Sequence, residues 1–295
     1  MKEIVVISGK GGTGKTTFLG YLATVMKDKV LADCDVDAPN LHLMLKPKIV
    51  QSERFIGSKI ATIDDTKCSG CGWCIPACRF DAIQSTGNPC LGRIKIDADA
   101  CEGCSLCARI CDNGAIDMKD RYVGDWFVSD TSCGTMVHAL LEPGAENSGK
   151  LVAIVKQKAR MVAMDQGLQL ILVDGPPGVG CPVISSLSGA SIAVIVTEPT
   201  SSGLNDLERV LDLLHGFKVG AAIIVNRCDI NVGAADSIER MAMERGVDFL
   251  GKIPYDDILA EEMAKGNVVD DRLNCPAIDA MRQCWERLSA LLEEL

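Results

Sequence analysis

The spacing Cys68-x-x-Cys71-x-x-Cys74-x-x-x-Cys78 returns 33 residues later at Cys101, Cys104, Cys107 and Cys111. Both copies end alike, in Asp81-Ala82-Ile83 and Gly114-Ala115-Ile116. This is an internal repeat with metal-ligand spacing. Three closely spaced thiolates wrap three corners of an iron–sulfur cubane. The fourth, expected at the start of a short helix, points away to the other cubane. One [4Fe–4S] cluster is therefore assigned to Cys68, Cys71, Cys74 and Cys111, the other to Cys101, Cys104, Cys107 and Cys78. Gly70, Gly72 and Gly103 would let backbone N–H groups approach the sulfurs. Structural zinc is the alternative. Four-cysteine zinc sites pair two C-x₂-C units across a longer gap, so three thiolates in tight succession fit it poorly.

The chain holds fifteen cysteines in 295 residues. It opens directly on an apolar strand, with no small-residue cleavage site, so no signal peptide is read and a cytoplasmic location is expected. Cysteines in that setting point to metal or redox chemistry rather than disulfides. The other seven, Cys34, Cys90, Cys133, Cys181, Cys228, Cys275 and Cys284, read mostly as small buried apolar residues.

The cysteine-rich stretch interrupts a different texture. Apolar runs at Glu3–Ser8, Val30–Asp33, Leu151–Val155, Leu170–Val173, Ile192–Val196 and Ala221–Val225 read as strands. Helical patterns accompany them at about Lys15–Lys27, Gln157–Gln166, Leu204–Leu214 and Ala234–Arg245. Fully apolar strands alternating with helices imply an α/β domain whose parallel sheet is covered by helices on both faces. The expected organisation is residues 1–60 and 121–295 as one α/β domain, with residues 61–120 inserted as a small α+β module.

Gly9-Lys10-Gly11-Gly12-Thr13-Gly14-Lys15-Thr16 fits G-x-x-x-x-G-K-[ST], following a strand and opening a helix as that motif requires. The glycines let successive N–H groups face one anion, and the helix N-terminus adds its positive dipole end. Lys15 would reach the β- and γ-phosphates of a nucleotide, and Thr16 would hold Mg²⁺. Asp33-Cys34-Asp35-Val36-Asp37 closes the second strand, where ligands of open α/β sheets bind. Carboxylates crowded beside a phosphate site call for Mg²⁺ to offset their repulsion. Asp37 fits better as a cap on the helix that follows. The strand 170–173 ends in Asp174-Gly175-Pro176-Pro177-Gly178. A carboxylate there can bind Mg²⁺ through water, and Gly178 can let the segment move with the γ-phosphate.

The run Lys10 to Thr17 resembles the deviant phosphate loop of the MinD/ParA/nitrogenase-iron-protein class. Together with the cysteine repeat, the chain resembles MinD-superfamily P-loop ATPases containing an inserted ferredoxin domain. The resemblance implies ATP as ligand, the Lys10–Thr17 loop with Gly9 as its binding site, and a homodimer in which Lys10 reaches the partner's nucleotide. From spacing alone Lys10 reads as a solvated loop lysine. The resemblance also implies that Asp35 orients the attacking water, with Asp33 on the metal side, or the reverse. It implies that Asn226 reads the adenine edge and that Pro254 lies in a base-contacting turn; both otherwise read as strand-end turn residues. The nitrogenase iron protein has a cluster-binding cysteine at a place similar to Cys181, so a shared site between two subunits is one reading of that thiol, and a packed structural thiol the other. Bacterial ferredoxins usually carry proline after the fourth cysteine, whereas Arg79 and Asp112 stand here.

The net charge of −10 disfavours nucleic acid over long range, and 4 % aromatics leave few stacking platforms. No apolar run spans a membrane. Ile278, Met281, Trp285, Leu288, Leu292 and Leu295 form an apolar stripe at helical spacing. Its polar side carries Asp279, Glu286, Glu293 and Glu294, which anionic lipid would repel, so packing on the protein's own core is expected. The function expected is ATP hydrolysis coupled to electron transfer or metallocofactor chemistry with a redox or cofactor-accepting protein. The alternatives are an iron–sulfur or metal-cofactor carrier and a MinD/ParA-like positioning switch.

Overall fold

The computed structural model describes residues 1–86, 92–145 and 149–294. Cys90 and Leu295 lie outside them. Contacts divide the chain into two compact units, Met1–Glu53 with Asp125–Leu295, and Arg54–Gly124.

The larger unit starts with β1 (Lys2–Ser8), α1 (Lys15–Val25), β2 (Lys29–Asp33) and α2 (Leu41–Leu45). β3 (Lys48–Ile63) carries the chain into the smaller unit, which holds α3 (Cys74–Ala77), β4 (Ile83–Thr86), β5 (Arg93–Ile96) and α4 (Leu106–Arg109). β6 (Ile116–Thr131) carries it back. Then follow β7 (Gly134–Leu141), α5 (Lys150–Asp165), β8 (Leu170–Pro177), α6 (Cys181–Leu187), β9 (Ile192–Thr197) and α7 (Ser201–Phe217). β10 (Gly220–Asn226), α8 (Val232–Glu244), β11 (Asp248–Ile253), α9 (Asp257–Ala264) and α10 (Pro276–Glu294) complete it.

Strand order is β11-β10-β9-β1-β8-β2-β7-β6-β3. The pairs from β11 through β7 are parallel. β7 and β6 meet through a two-residue turn, which only antiparallel strands allow. The chain is thus an α/β fold on a mostly parallel sheet. Ile4 to Ile7, Leu31, Val173, Val194 to Val196 and Ile223 to Val225 are fully buried, as strands covered on both faces must be.

One alignment in this sheet decides where chemistry can occur. Asp33 stands in register with Asp174, and Val6 of the central β1 with the same residue. Two carboxylates therefore meet side by side, Asp33 at the end of β2 and Asp174 three residues before the end of β8.

Phe18, Leu19 and Leu22 of α1 and Ile278, Met281, Cys284, Leu288 and Leu292 of α10 close one core over Leu172, Val194 and Ile224. Each large side chain buried here contributes about 1.5–3 kcal/mol. The C-terminal helix thus packs on its own sheet, as its acidic outer face suggested. Among the described residues no helix is long and apolar enough to cross a membrane.

Leu151–Val155 is not a strand. It belongs to α5, whose buried Leu151, Val152, Val155, Ala159 and Ala163 recur at helical spacing. The β-branched residues in its first turn mask that period. The strand in this region is β7, whose buried stretch runs from Met136 to Ala139. β3 and β6 also depart from the expectation. Each is a 16-residue strand that continues past the expected boundaries near 60 and 120, and the contact boundaries fall at 53/54 and 124/125. The largely exposed β3 shows no apolar run to announce it.

The smaller unit pairs β4 with β5 antiparallel, Ile83 opposite Ile96. Its buried core is Ala61, Ile83, Ile94, Cys107 and Ile116, with Cys68, Cys74, Cys78, Cys101 and Cys111 packed against it. The fourth cysteine of each repeat does not start a helix. Cys78 caps the C-terminus of α3, and Cys111 follows α4, because the helical turn is used up by the residues between the third and fourth cysteines.

His138 is buried behind α2. Its Nε2 lies 2.9 Å from Ser129 Oγ, and its ring stacks on Phe127 at 5.0 Å and on His42 at 6.5 Å. Burial, with His42 nearby, pushes its pKa down to about 4. The unfolded chain takes up a proton near pH 6.5 that the folded chain refuses until about pH 4. Stability present above pH 6.5 is therefore lost on acidification, by about 2 kcal/mol at pH 5. Urea melts at pH 7 and pH 5 should show this loss, and His138→Gln should shrink it; an equal loss in that variant contradicts the assignment.

Candidate nucleotide site and thiol cavities

The turn after β1 needs its glycines for different reasons. Gly12 and Gly14 take φ of 81° and 91°, which L side chains rarely adopt. A Cβ on Gly14 would also stand 2.2 Å from Asn226 Nδ2. Gly9 lies against Asp206, where a Cβ would meet Cβ at 2.4 Å. Nothing packs against Gly11. Lys15 begins α1 directly after Gly14.

Lys15 Nζ lies 2.6 Å from Asp174 Oδ1 and 3.2 Å from Asp35 Oδ2. Thr16 Oγ1 donates to Asp174 Oδ2 at 3.0 Å. Burial alone would lower the Lys15 pKa, but the Asp174 and Asp35 carboxylates outweigh it and hold it above its ordinary value. Asp33 is 1 % exposed. Its Oδ1 accepts the Asp35 N–H at 3.2 Å, while its Oδ2 has no partner. Burial, reinforced by the Asp174 charge, drives the Asp33 pKa well above the carboxylate range, and burial raises Asp35 as well. Thr13 Oγ1 is likewise buried without a partner. Three carboxylates thus crowd around one ammonium, and two buried polar atoms beside them lack a partner.

A cavity runs beside these groups. Gly11, Gly12, Gly14, Lys15, Thr16 and Thr17 line one side, and Asp35, Asn40, Leu43 and Arg227 the other. Asp37 caps no helix: α2 starts at Leu41 after Asn40, and that turn has no side-chain cap. Asn226 Nδ2 donates to Thr13 O at 2.8 Å, so its amide clamps the phosphate loop. Pro254 follows β11 in a turn tied to the one after β10 by the bond from Tyr255 N to Asp229 Oδ1, 2.7 Å.

Lys10 is not a solvated loop lysine. Its Nζ pairs with Glu198 Oε2 at 3.2 Å and donates to Thr200 Oγ1 and Ser202 Oγ at 3.4 and 3.2 Å. Sequence reasoning passed over Glu198 and the role of Arg227, although a charged residue ending the apolar strand 192–197 was the available signal.

The eight repeat cysteines line two cavities in the smaller unit. Cys68, Cys71, Cys74 and Cys111 surround one, with Trp73 and Ile110 on its wall. Cys78, Cys101, Cys104 and Cys107 surround the other. Each cavity thus takes three thiols from one repeat and the fourth from the other. Asn113 Nδ2 bonds Ser69 Oγ at 2.7 Å and joins the two repeats. Burial, then the thiols Cys107, Cys68 and Cys71, raise the Cys74 pKa; burial, then Cys101, Cys104 and Cys78, raise that of Cys107. Gly103, at φ 65°, lies so close to Lys59 O that a Cβ would stand 2.2 Å away. Among the described residues no three or more His, Cys, Asp or Glu side chains form a group that could hold a metal ion, here or beside Lys15. Of the remaining cysteines, Cys34, Cys275 and Cys284 are buried, Cys133 and Cys228 are half-buried, and Cys181 is exposed.

The Asn226 clamp has a measurable consequence. Asn226→Ala should weaken inorganic tripolyphosphate and Mg·ATP by a similar factor, about tenfold for a lost buried hydrogen bond. Loss confined to ATP, measured by calorimetry, would instead mean that the amide reads the base.

Residues 4–269 match the family model described as the CobQ/CobB/MinD/ParA nucleotide binding domain. An uncharacterised protein of Methanocaldococcus jannaschii is 37 % identical over 235 residues, covering 78 % of this chain and 79 % of its own. An iron-sulfur cluster carrier protein of the same organism is 23 % identical over 312 residues, covering 99 % and 85 %. The septum site-determining protein MinD of Pyrococcus horikoshii, solved with Mg-ADP, superposes with a TM-score of 0.56 at 18 % identity, covering 99 % and 97 %, which shows a shared fold. The chain therefore belongs to the MinD/ParA family of P-loop ATPases.

Proposed function

We propose that this chain binds and hydrolyses Mg·ATP and couples its nucleotide state to iron–sulfur chemistry in the unit 54–124. The observation that carries the second half is the crossed grouping of eight cysteines around two cavities. A single tetrahedral zinc draws its thiolates to about 2.3 Å from one centre. Thiols spread around a cavity suit a larger body, and the crossed pairing is that of two-cubane proteins. The small core of this unit points the same way, since so few buried residues call for a staple.

The nucleotide half rests on the family and on the buried charges. The Gly9–Thr17 loop takes the phosphates, and Lys15 turns from Asp174 to them. Thr16, Asp174 and Asp33 stand on the Mg²⁺ side, and Asp35 orients the attacking water. The orphaned Asp33 and Thr13 oxygens support this division. Mg²⁺, when bound, offsets the carboxylate repulsion, and two [4Fe–4S] clusters, when bound, supply one-electron capacity. Two copies of the chain form the nucleotide-bridged dimer, with Lys10 reaching across. The relevant partner is a redox or cofactor-accepting protein.

A cluster carrier is the second reading. The cluster carrier relative favours it, and a shared site at the exposed Cys181 would serve it. Fully ligated cubanes are held rather than handed over, which favours electron transfer.

Lys15→Ala tests whether the halves are separable. It should abolish Mg·ATP binding and leave the iron absorbance of anaerobically purified protein intact. Loss of both contradicts separate sites. Wild-type protein should then reduce an acceptor at a rate that changes with Mg·ATP; transfer of iron to an apo acceptor would select the carrier.

A further inference from the structure

Glu198 directly follows β9 and is 7 % exposed. Its two carboxylate oxygens go to different loops. Oε2 pairs with Lys10 at 3.2 Å, and Oε1 pairs with Arg227 NH1 at 2.5 Å. Lys10 lies in the phosphate loop. Arg227 follows Asn226, lines the nucleotide cavity, and holds a left-handed φ of 52°. Non-glycine residues seldom adopt that conformation without surrounding bonds to keep it.

The lysine is held by more than one bond. Thr200 and Ser202 also accept from Nζ, and both sit in the segment that starts α7. Thr200 caps that helix through the bond from Gly203 N to its Oγ1, 3.0 Å. Gly203 in turn fits closely, since a Cβ there would stand 2.3 Å from Glu198 O. The receiving side is therefore built on rigid backbone, while Lys10 is a long side chain on a loop. A buried carboxylate with two cationic partners loses most of its hydration. Removing one partner leaves it short of charge compensation, so the pairs are interdependent.

We propose that Glu198 is a positioning residue that holds Lys10 inward against its own chain, and that release of this ion pair is the step that lets Lys10 reach the nucleotide of a second copy. The functional half rests on the reading of Lys10 as a contact across a dimer. An ammonium bound to Glu198, Thr200 and Ser202 is spoken for. Before it reaches another chain's phosphates it must leave these three acceptors, and the phosphate charge is what competes with the carboxylate. Because the same carboxylate grips Arg227, movement of Lys10 alters the hold on the base-side loop as well. The device sets the protein concentration at which Mg·ATP joins two copies.

Two measurements test this separately. In nucleotide-free protein, acetylation of individual lysines by acetic anhydride is followed by mass spectrometry. Glu198→Gln keeps the side-chain volume and removes the charge. It should speed labelling of Lys10 about five- to tenfold, the scale of a lost charge-assisted bond, and leave Lys29 and Lys156 unchanged. Ser202→Ala, which spares Glu198, should speed it less. Sedimentation in a non-hydrolysable Mg·ATP analogue then reads the dimer. Half-dimerisation should occur at about five- to tenfold lower concentration in Glu198→Gln than in wild type. Unchanged Lys10 labelling in both variants overturns the proposal, as does faster labelling of all three lysines, which would mark loosened structure. Faster labelling of Lys10 with no dimer from either protein overturns the trans role of Lys10 and the gating drawn from it. Faster labelling with dimers forming at the wild-type concentration overturns the gating alone.

Discussion

The buried pair of Lys15 with Asp174, 2.6 Å apart, is the interaction around which the larger unit is arranged. The sheet register sets Asp174 beside Asp33, and carboxylates on adjoining strands repel unless a cation lies near them. Lys15 reaches Asp174 and Asp35 because the glycine turn bends the chain back over β1 and starts α1 at the right residue. Each part depends on the others: left-handed glycines shape the turn, the Asn226 amide holds it through Thr13, and the parallel strands fix the carboxylates. On the proposed reading, Mg²⁺ takes over the lysine's role as counter-ion to the carboxylates and frees Lys15 for the phosphates.

The smaller unit solves a different problem. Ala61, Ile83, Ile94, Cys107 and Ile116 form its core cluster, a small apolar core for a segment of this length. The eight repeat cysteines line two cavities instead of pairing, with Cys71 and Cys104 at the surface. That arrangement makes sense if the staple is inorganic: cluster ligation would supply the folding energy that apolar burial does not.

Much of this was legible from residue order. The glycine loop, the strands carrying Asp33 and Asp174, and the apolar stripe of the C-terminal helix follow from local period and charge, though β8 runs on past Asp174 to Pro177. So does the crossed thiol grouping, because the repeat's spacing carries the geometry. Four features were hidden. The run Leu151–Val155 is as apolar as a strand, and only burial at Ala159 and Ala163 reveals its helical period. The long β3 is mostly polar. The fourth cysteines end their short helices, a choice decided by packing. Glu198 became visible only when the fold brought β9 beside the phosphate loop, since its partners Lys10 and Arg227 are remote in sequence.

The central claim is that nucleotide state and iron–sulfur chemistry are coupled in one chain. Its most direct measurement is the midpoint potential of the anaerobically purified protein, titrated by electron paramagnetic resonance with and without a non-hydrolysable Mg·ATP analogue. The account expects about eight irons per chain and a potential that shifts when the analogue binds. An iron-free protein, or potentials identical in the two conditions, would contradict it.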